Sequence, residues 1–424
     1  MTKLTWHTET RKVKDLIPYE LNPRKLTDDQ AKKLKESLER FDLVEIPAIN
    51  LDNKIVAGHQ RIKVMLLLGR GDEELDVRVP SRKLTSKEFK EYNLRSNRNT
   101  GEWNFELLKE FDIDLLLDVG FDDSDLGHIW DENLGIEDDD FDIEKELAEI
   151  QTPQTKLGDV YQIGTHRLIC GDATNLDIVE KLIGKDRISM LYYDPPYNVN
   201  LDYNKGVGNK RNYGGKKTKD NKSVEDYKQF LESALENGLK FTGDDAHIFC
   251  WCDEKYIGLL QSLYSELGIE NKRVCLWIKN NSNMTPQIAF NKVYEPCVYG
   301  IKGSPYLNNK VTSINEVFNK EIGTGNRVPD DILDLLNIWL AKRVAGQDYE
   351  HPTEKPPNLH EKALRRCTKP NDTVLDLFGG SGSTLIACEQ LKRKALLCEI
   401  EPIFCDLIIR RYEKLTGRRA KKCK

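Results

Sequence analysis

The chain has 424 residues, of which 39% are hydrophobic and 32% charged, with a formal net charge of −6. That is room for two or three soluble domains, and it excludes wholesale disorder. The longest apolar run, Val64 to Leu68, is far shorter than the ~20 residues of a membrane helix. The segment Met1 to His7 lacks the apolar core of a secretory signal. Ten cysteines without a CxxC pair argue against a zinc ribbon or a disulfide scaffold and fit a reducing cytoplasm, with no membrane and no metal implied.

The charge is unevenly spread. Asp112 to Glu149 holds sixteen acidic residues and one lysine, a net of −15 that leaves +9 for the rest of the chain. An acidic run of this kind reads as a solvated linker or as a DNA mimic that shields a basic groove.

In chain order, residues 1–100 read as a compact α/β unit. Pro18 to Arg24 is a proline-punctuated turn. Thr27 and Gln30 form a capping box, followed by Ala31, Leu34, Leu38 and Phe41 at helical spacing. Ile46 to Ile49 and Ile55 to Gly58 predict short strands, and His59 to Leu68 a helix. Residues 101–150 carry short amphipathic pieces such as Leu107-Leu108 and Leu115 to Leu117, and predict an acidic, partly helical linker. From 151 to 424 short apolar runs alternate with helices. Strands are expected at 167–170, 188–193, 247–251, 374–378 and 395–398, and a helix at 224–239. Such alternation predicts a mostly parallel, doubly wound α/β sheet.

Four motifs in this part carry chemistry. Asp194-Pro195-Pro196-Tyr197 ends the apolar run 188–193. It places a carboxylate and a donor-free backbone at the strand's C-terminal edge, where open α/β sheets bind ligands. Acceptors alone suit an NH₂ group, which has two hydrogens to place, and Tyr197 offers a flat face for a nucleobase. Asp376-Leu377-Phe378-Gly379-Gly380-Ser381-Gly382 opens a helix with a glycine turn. Its spacing is not GxGxxG and suits a nucleoside better than a pyrophosphate. Glu399 ends the next strand, about twenty residues on, where an acidic group accepts ribose hydroxyls. His351 to Pro356, which includes Thr353 and Lys355, precedes a helix, and Gly171-Asp172 ends a strand.

Together these motifs resemble the β-order amino DNA methyltransferases that use S-adenosylmethionine, over about 156–415. The fold the resemblance implies is a Rossmann-like α/β methyltransferase with an inserted target-recognition region at about 200–330. It also implies roles. Phe378, Gly379, Gly380, Ser381 and Gly382, with Asp376, Thr353 and Lys355, hold the methionine end of the cofactor; Glu399 takes its ribose and Asp172 its adenine amino group. Asp194 and the Pro195 carbonyl accept the two hydrogens of the target amine, with Pro196 and Tyr197 completing the catalytic motif. The target base of double-stranded DNA must then leave the helix to reach them. The resemblance favours adenine N6 and leaves cytosine N4 open. Cytosine C5 is rejected, because the one Pro-Cys pair, Pro296-Cys297, follows the Asp-Pro-Pro motif with no Glu-Asn-Val beside it. Lys205, Lys210, Arg211, Lys216 and Lys217 sit in a basic, glycine-bearing stretch suited to phosphate contact or to a solvated loop.

Leu16 to Tyr19, Asn22 to Arg24 and Val56 to Arg61 resemble the ParB-like superfamily. That implies a small α/β domain with a phosphate, nucleotide or DNA site at Gly58 and Arg61. His59-Gln60 departs from the superfamily's more acidic form. The combined expectation is a cytoplasmic DNA adenine-N6 methyltransferase of the kind found in restriction–modification systems. The other readings are transfer to RNA or a protein amide, and a non-enzymatic DNA- or nucleotide-binding protein.

Overall fold

A computed structural model describes residues 4–23, 28–97, 103–118, 121, 123–127, 129–130, 135–137, 139–200, 220–279, 289–308, 337–340 and 355–423. The chain divides into two compact units, Met1–Leu134 and Gly135–Lys424.

In the first unit, β1 (Trp6–Lys12), β2 (Ala48–Ile49), β3 (Ile55–Ala57) and β4 (Glu74–Pro80) form a sheet in the order β1-β4-β2-β3. Leu75, Val77 and Val79 of β4 alternate inward and outward with Glu74 and Asp76, so one face packs on the core. That core holds Val13, Leu38, Ile49, Ile55, Ile62 and Met65, from the sheet and from helices 28–41 and 59–67. Helix 86–97 starts in a capping box: Glu88 accepts the Thr85 N–H at 2.9 Å and Thr85 Oγ1 accepts the Glu88 N–H at 3.3 Å. The short helices 105–108, 113–118 and 123–127 bury Leu108, Leu116, Leu126 and Trp130 around Leu94, a small helical core in place of the expected linker. Thr27 of the expected capping box lies outside the described residues.

The second unit is built on a ten-stranded sheet. Its strands are β5 (Val160–Ile163), β6 (His166–Cys170), β7 (Ile188–Tyr193), β8 (Thr242–Trp251), β9 (Glu270–Ile278), β10 (Tyr294–Lys302), β11 (Ile338–Leu340), β12 (Thr373–Asp376), β13 (Lys394–Glu399) and β14 (Lys421–Lys422), in the order β11-β9-β10-β8-β7-β12-β13-β6-β5-β14. β6, β13, β12, β7 and β8 run parallel. Both faces of these strands are buried. Leu191 and Tyr193 enter one core and Met190 and Tyr192 the other, which is why the strand reads as an unbroken apolar run. From β12 the chain winds to β13 on one side, and from β7 to β8 on the other. The gap between β7 and β12 is the switch point at which such sheets bind ligands.

Within the region expected to carry the target-recognition insert, 200–330, helix 224–239 and strands β8, β9 and β10 are integral to the sheet's layers, because Tyr227, Leu231, Ile248 and Val298 share one core, while 201–219, 280–288 and 309–336 lie outside the described residues. At the acidic end of the expected linker Glu137, Asp140, Asp142 and Glu149 are exposed, while the apolar residues between them pack inward. Asp142 caps helix 143–149, whose Ile143 and Leu147 pack on Leu407. Asp139 is buried in a fork-to-fork pair with Arg411, at 2.5 and 2.8 Å, with the two side chains 3% and 1% exposed. A buried pair tolerates loss of both charges better than loss of one. Asp139→Asn is therefore expected to destabilise the second unit by about 3–5 kcal/mol in urea unfolding, and the apolar pair Asp139→Leu/Arg411→Met by less.

Candidate active site

The C-terminal ends of β6, β7, β12 and β13 converge on one cavity of about 610 Å³. Asp172, Asp194, Pro195, Pro196, Tyr197, Lys355, Asp376, Phe378, Gly379, Gly380, Ser381 and Glu399 all line it, so residues read as separate motifs share one site. Ile143, Phe230 and Phe404 complete its apolar wall.

The glycine turn is held from three sides. Gly380 and Gly382 have positive φ, and a Cβ on Gly382 would sit 3.0 Å from Ile408, so the turn needs glycine there. Glu399 accepts the Gly380 N–H and, through its other oxygen, the Glu401 N–H, both at 2.8 Å. It therefore fastens the turn as well as facing the cavity. Arg411 donates to the Ser381 carbonyl and hydroxyl at 3.2 Å. Asp376 accepts the Phe378 N–H at 3.0 Å. Burial pushes the carboxyls of Asp376 and Glu399 up to about 7. Asp172 is exposed at the cavity edge, its Oδ1 held by the Thr174 N–H and hydroxyl at 2.9 and 2.7 Å. Buried, neutral His360 joins Tyr192 Oη (3.1 Å) to Ser383 Oγ (2.9 Å) behind the turn; burial holds it down at about 3.

At the end of β7, Tyr227 Oη donates to the Pro196 carbonyl at 2.8 Å, while among the described residues nothing donates to the Pro195 carbonyl. Asp220 anchors the chain beyond Tyr197 by accepting the N–H groups of Asn198 and Val199 at 2.7 and 3.1 Å. Lys355 lines the cavity with its ammonium on the Asp194 side. Its ammonium, 3% exposed, donates to both oxygens of Asp194 at 2.6 and 2.7 Å and to Tyr197 Oη at 2.8 Å, with Glu295 Oε2 at 3.4 Å. Tyr197 Oη lies 3.0 Å from Asp194 and 3.1 Å from Glu295, and Lys279 pairs with the other oxygen of Glu295. Burial pushes both carboxyls up and Lys355 pulls both down. Asp194 ends above its ordinary value; Glu295, with Lys279 as a second ammonium, ends below it. The same two carboxylates outweigh burial for Lys355 and keep it charged.

Sequence reasoning missed the roles of Glu295, Lys279, Arg411, Asp139 and Asp220, whose partners are 16 to 272 positions away. Thr353 and the basic residues Lys205, Lys210, Arg211, Lys216 and Lys217 lie outside the described residues. In the first unit, Gly58 opens helix 59–67 at φ +96, with Pro47 too close for a Cβ. Arg61 of that helix is ion-paired with Glu45. His59 accepts the Tyr19 N–H at 3.2 Å and is kept neutral by burial, its value lowered to about 4. Among the described residues no helix is long and apolar enough to cross a membrane.

The N6/N4 methylase family, described as DNA methylase, matches residues 188–410. Type II methyltransferase M.HpaI of Haemophilus parainfluenzae is 22% identical over 257 residues, which is 58% of this chain and 74% of the relative. The crystal structure of an M1.HpyAVI–SAM complex aligns with a TM-score of 0.41 at 20% identity, covering 57% of this chain and 97% of that one. The cytosine-N4-specific PvuII DNA methyltransferase aligns with a TM-score of 0.42 at 17% identity, covering 63% and 98%. The family match takes in more than half of the chain, beginning at the first residue of the strand that delivers Asp194 and running past Glu399, and by it this chain belongs to the N6/N4 DNA methylase family.

Proposed function

We propose that the chain transfers a methyl group from S-adenosylmethionine to the N6 amino group of adenine in DNA. The observation that carries the reading is the shared cavity: acceptors for an amine at the end of β7 open into the same space as the glycine turn and Glu399. The cavity fits the cofactor on its own terms, with the backbone of the turn Phe378 to Ser381 along one side, a carboxylate at Glu399 for ribose hydroxyls and one at Asp172 for an adenine amine. When bound, S-adenosylmethionine supplies a methyl group on a positively charged sulfur.

The residues do the rest. An exocyclic amine delocalises its lone pair into the ring and is a poor nucleophile. Hydrogen bonds to Asp194 and to the open Pro195 carbonyl draw its nitrogen toward tetrahedral geometry and support the positive charge that grows there. The surplus proton of the methylated nitrogen would leave through Asp194 to solvent. Tyr197 supplies the face against which a flipped base stacks. Asp at the first position of the motif is the basis for adenine over cytosine. For the first unit the proposal is a nucleotide or DNA site at Gly58 and Arg61, where a phosphate would replace Glu45 as the partner of Arg61.

Labelled transfer to mixed genomic DNA, followed by nucleoside mass spectrometry, should yield N6-methyladenine; N4-methylcytosine would correct the base and keep the chemistry. Asp194→Ala should slow transfer by ~10²–10³-fold or more while retaining cofactor binding, and a wild-type rate would remove Asp194 from the mechanism. Residues 135–424 alone should still methylate DNA, since the whole cavity belongs to the second unit. Complete loss in that folded fragment would make the first unit part of the enzyme.

Cofactor affinity should depend on pH. Ribose hydroxyls donate to the ionised Glu399, so below its folded value of about 7 a proton must first be expelled. The dissociation constant is expected to rise by up to about 10-fold per unit as pH falls below 7, and to level off above it. Calorimetry from pH 6 to 8 checks this, and Glu399→Gln should flatten the curve.

A further inference from the structure

Part of the cavity wall comes from chain that lies before the span 188–410 covered by the family match. Ile143 lines the cavity from the short helix 143–149, which Asp142 caps by accepting the Lys145 N–H at 3.0 Å. Phe404 lines the cavity beside it, from the first turn of helix 402–416, just past Glu399. The two belong to one apolar cluster with Leu147 and Leu407. They set an apolar surface next to the carboxylate proposed to take ribose, which suits the rest of a nucleoside and not a phosphate. The chain that carries Ile143 is tied along helix 402–416. Gln154 and Thr155 donate their N–H groups to Asp406 at 2.6 and 3.2 Å, and Glu146 pairs with Arg410 at 3.4 Å. Asp139 grips Arg411 of the same helix at 2.5 and 2.8 Å. Ile143 and Leu147 stand one turn apart, 6% and 8% exposed, yet of the two only Ile143 lines the cavity.

Resting on the methyl-transfer reading, we infer that segment 139–150 is part of the cofactor site, with Ile143 covering the nucleoside of S-adenosylmethionine beside Glu399. The acidic segment then serves the enzyme through the apolar residues set between its charges. Its carboxylates hold it along helix 402–416 and keep its outer face in water, and Ile143 is the side chain it delivers to the cavity. Binding and packing are linked. A segment that lifts off the helix takes Ile143 away from the nucleoside, so a bound nucleoside must oppose the lifting by the same free energy.

Two substitutions in the full chain separate contact from mere support. Ile143→Ala should raise the dissociation constant of S-adenosylmethionine about 10-fold in calorimetry. Leu147→Ala removes a side chain from the same cluster without opening the cavity, and should leave that constant within about twofold of wild type. Equal effects from the two, or no effect from Ile143→Ala, overturn the inference. Hydrogen exchange of the wild-type chain decides the matter if either variant fails to fold. Saturating S-adenosylmethionine should slow exchange across 143–150 about 10-fold, and leave helix 257–266, which has no residue in the cavity, unchanged. Exchange across 143–150 that does not respond, or that slows no more than in 257–266, overturns it as well. Wild-type chain that binds no S-adenosylmethionine would instead overturn the reading on which the inference rests.

Discussion

A carboxylate at the end of a buried parallel strand cannot stay charged without company, and the catalytic unit is arranged around that constraint. Asp194 leaves β7 with 28% of its side chain facing the cavity and protein on every other side. Its charge is supported by Lys355, which arrives from beyond residue 350, and Lys355 is shared with Glu295 from β10. The strands between hold these groups in register. β7, β8 and β10 are consecutive neighbours, so Asp194 and Glu295 come from strands two positions apart in the sheet.

The other half of the cavity follows the same logic with backbone in place of lysine. Asp376 and Glu399 are buried carboxyls at strand ends that accept main-chain N–H groups of the neighbouring turns, Asp376 being hydrogen-bonded to the Thr384 side chain as well. Those groups hold each carboxyl in place without neutralising it, and burial moves both into the physiological range. Two kinds of acid thus share one pocket: an ion-paired one at Asp194, and backbone-held ones at Asp376 and Glu399.

The acidic segment that opens the second unit takes on a different meaning in three dimensions. Asp139 reaches Arg411, and Arg411 reaches Ser381 of the glycine turn. Glu137 and Gln390 exchange hydrogen bonds through backbone and side chain at 2.7 and 3.0 Å. The segment is a strap over the last long helix, and Ile143 at its end lines the cavity. Charge counting alone favours solvent for such a run, since most acidic residues stay wet. One buried arginine reverses that for Asp139.

Much of this was legible in the sequence because it is local. Apolar runs bounded by turn residues mark β6, β7, β12 and β13 within a residue or two, and helix 224–239 is where its periodicity places it. The motif residues at the strand ends line one cavity, because parallel strands bring their C-terminal ends to one edge. What local pattern could not supply was pairing over distance. Nothing near Glu295 in the chain shows that it shares an ammonium with Asp194, and nothing near Asp139 shows that it meets Arg411. Strands β9 and β10 show their place in the sheet only through the register of β10 with β8 and of β9 with β10. By itself the sequence determined the strand ends, the carboxylates they carry and the glycines that let the turn form, because each depends on neighbours within a few residues. Only the tertiary structure decided which charge neutralises which, because desolvation obliges a buried ion to find its partner wherever the chain happens to return.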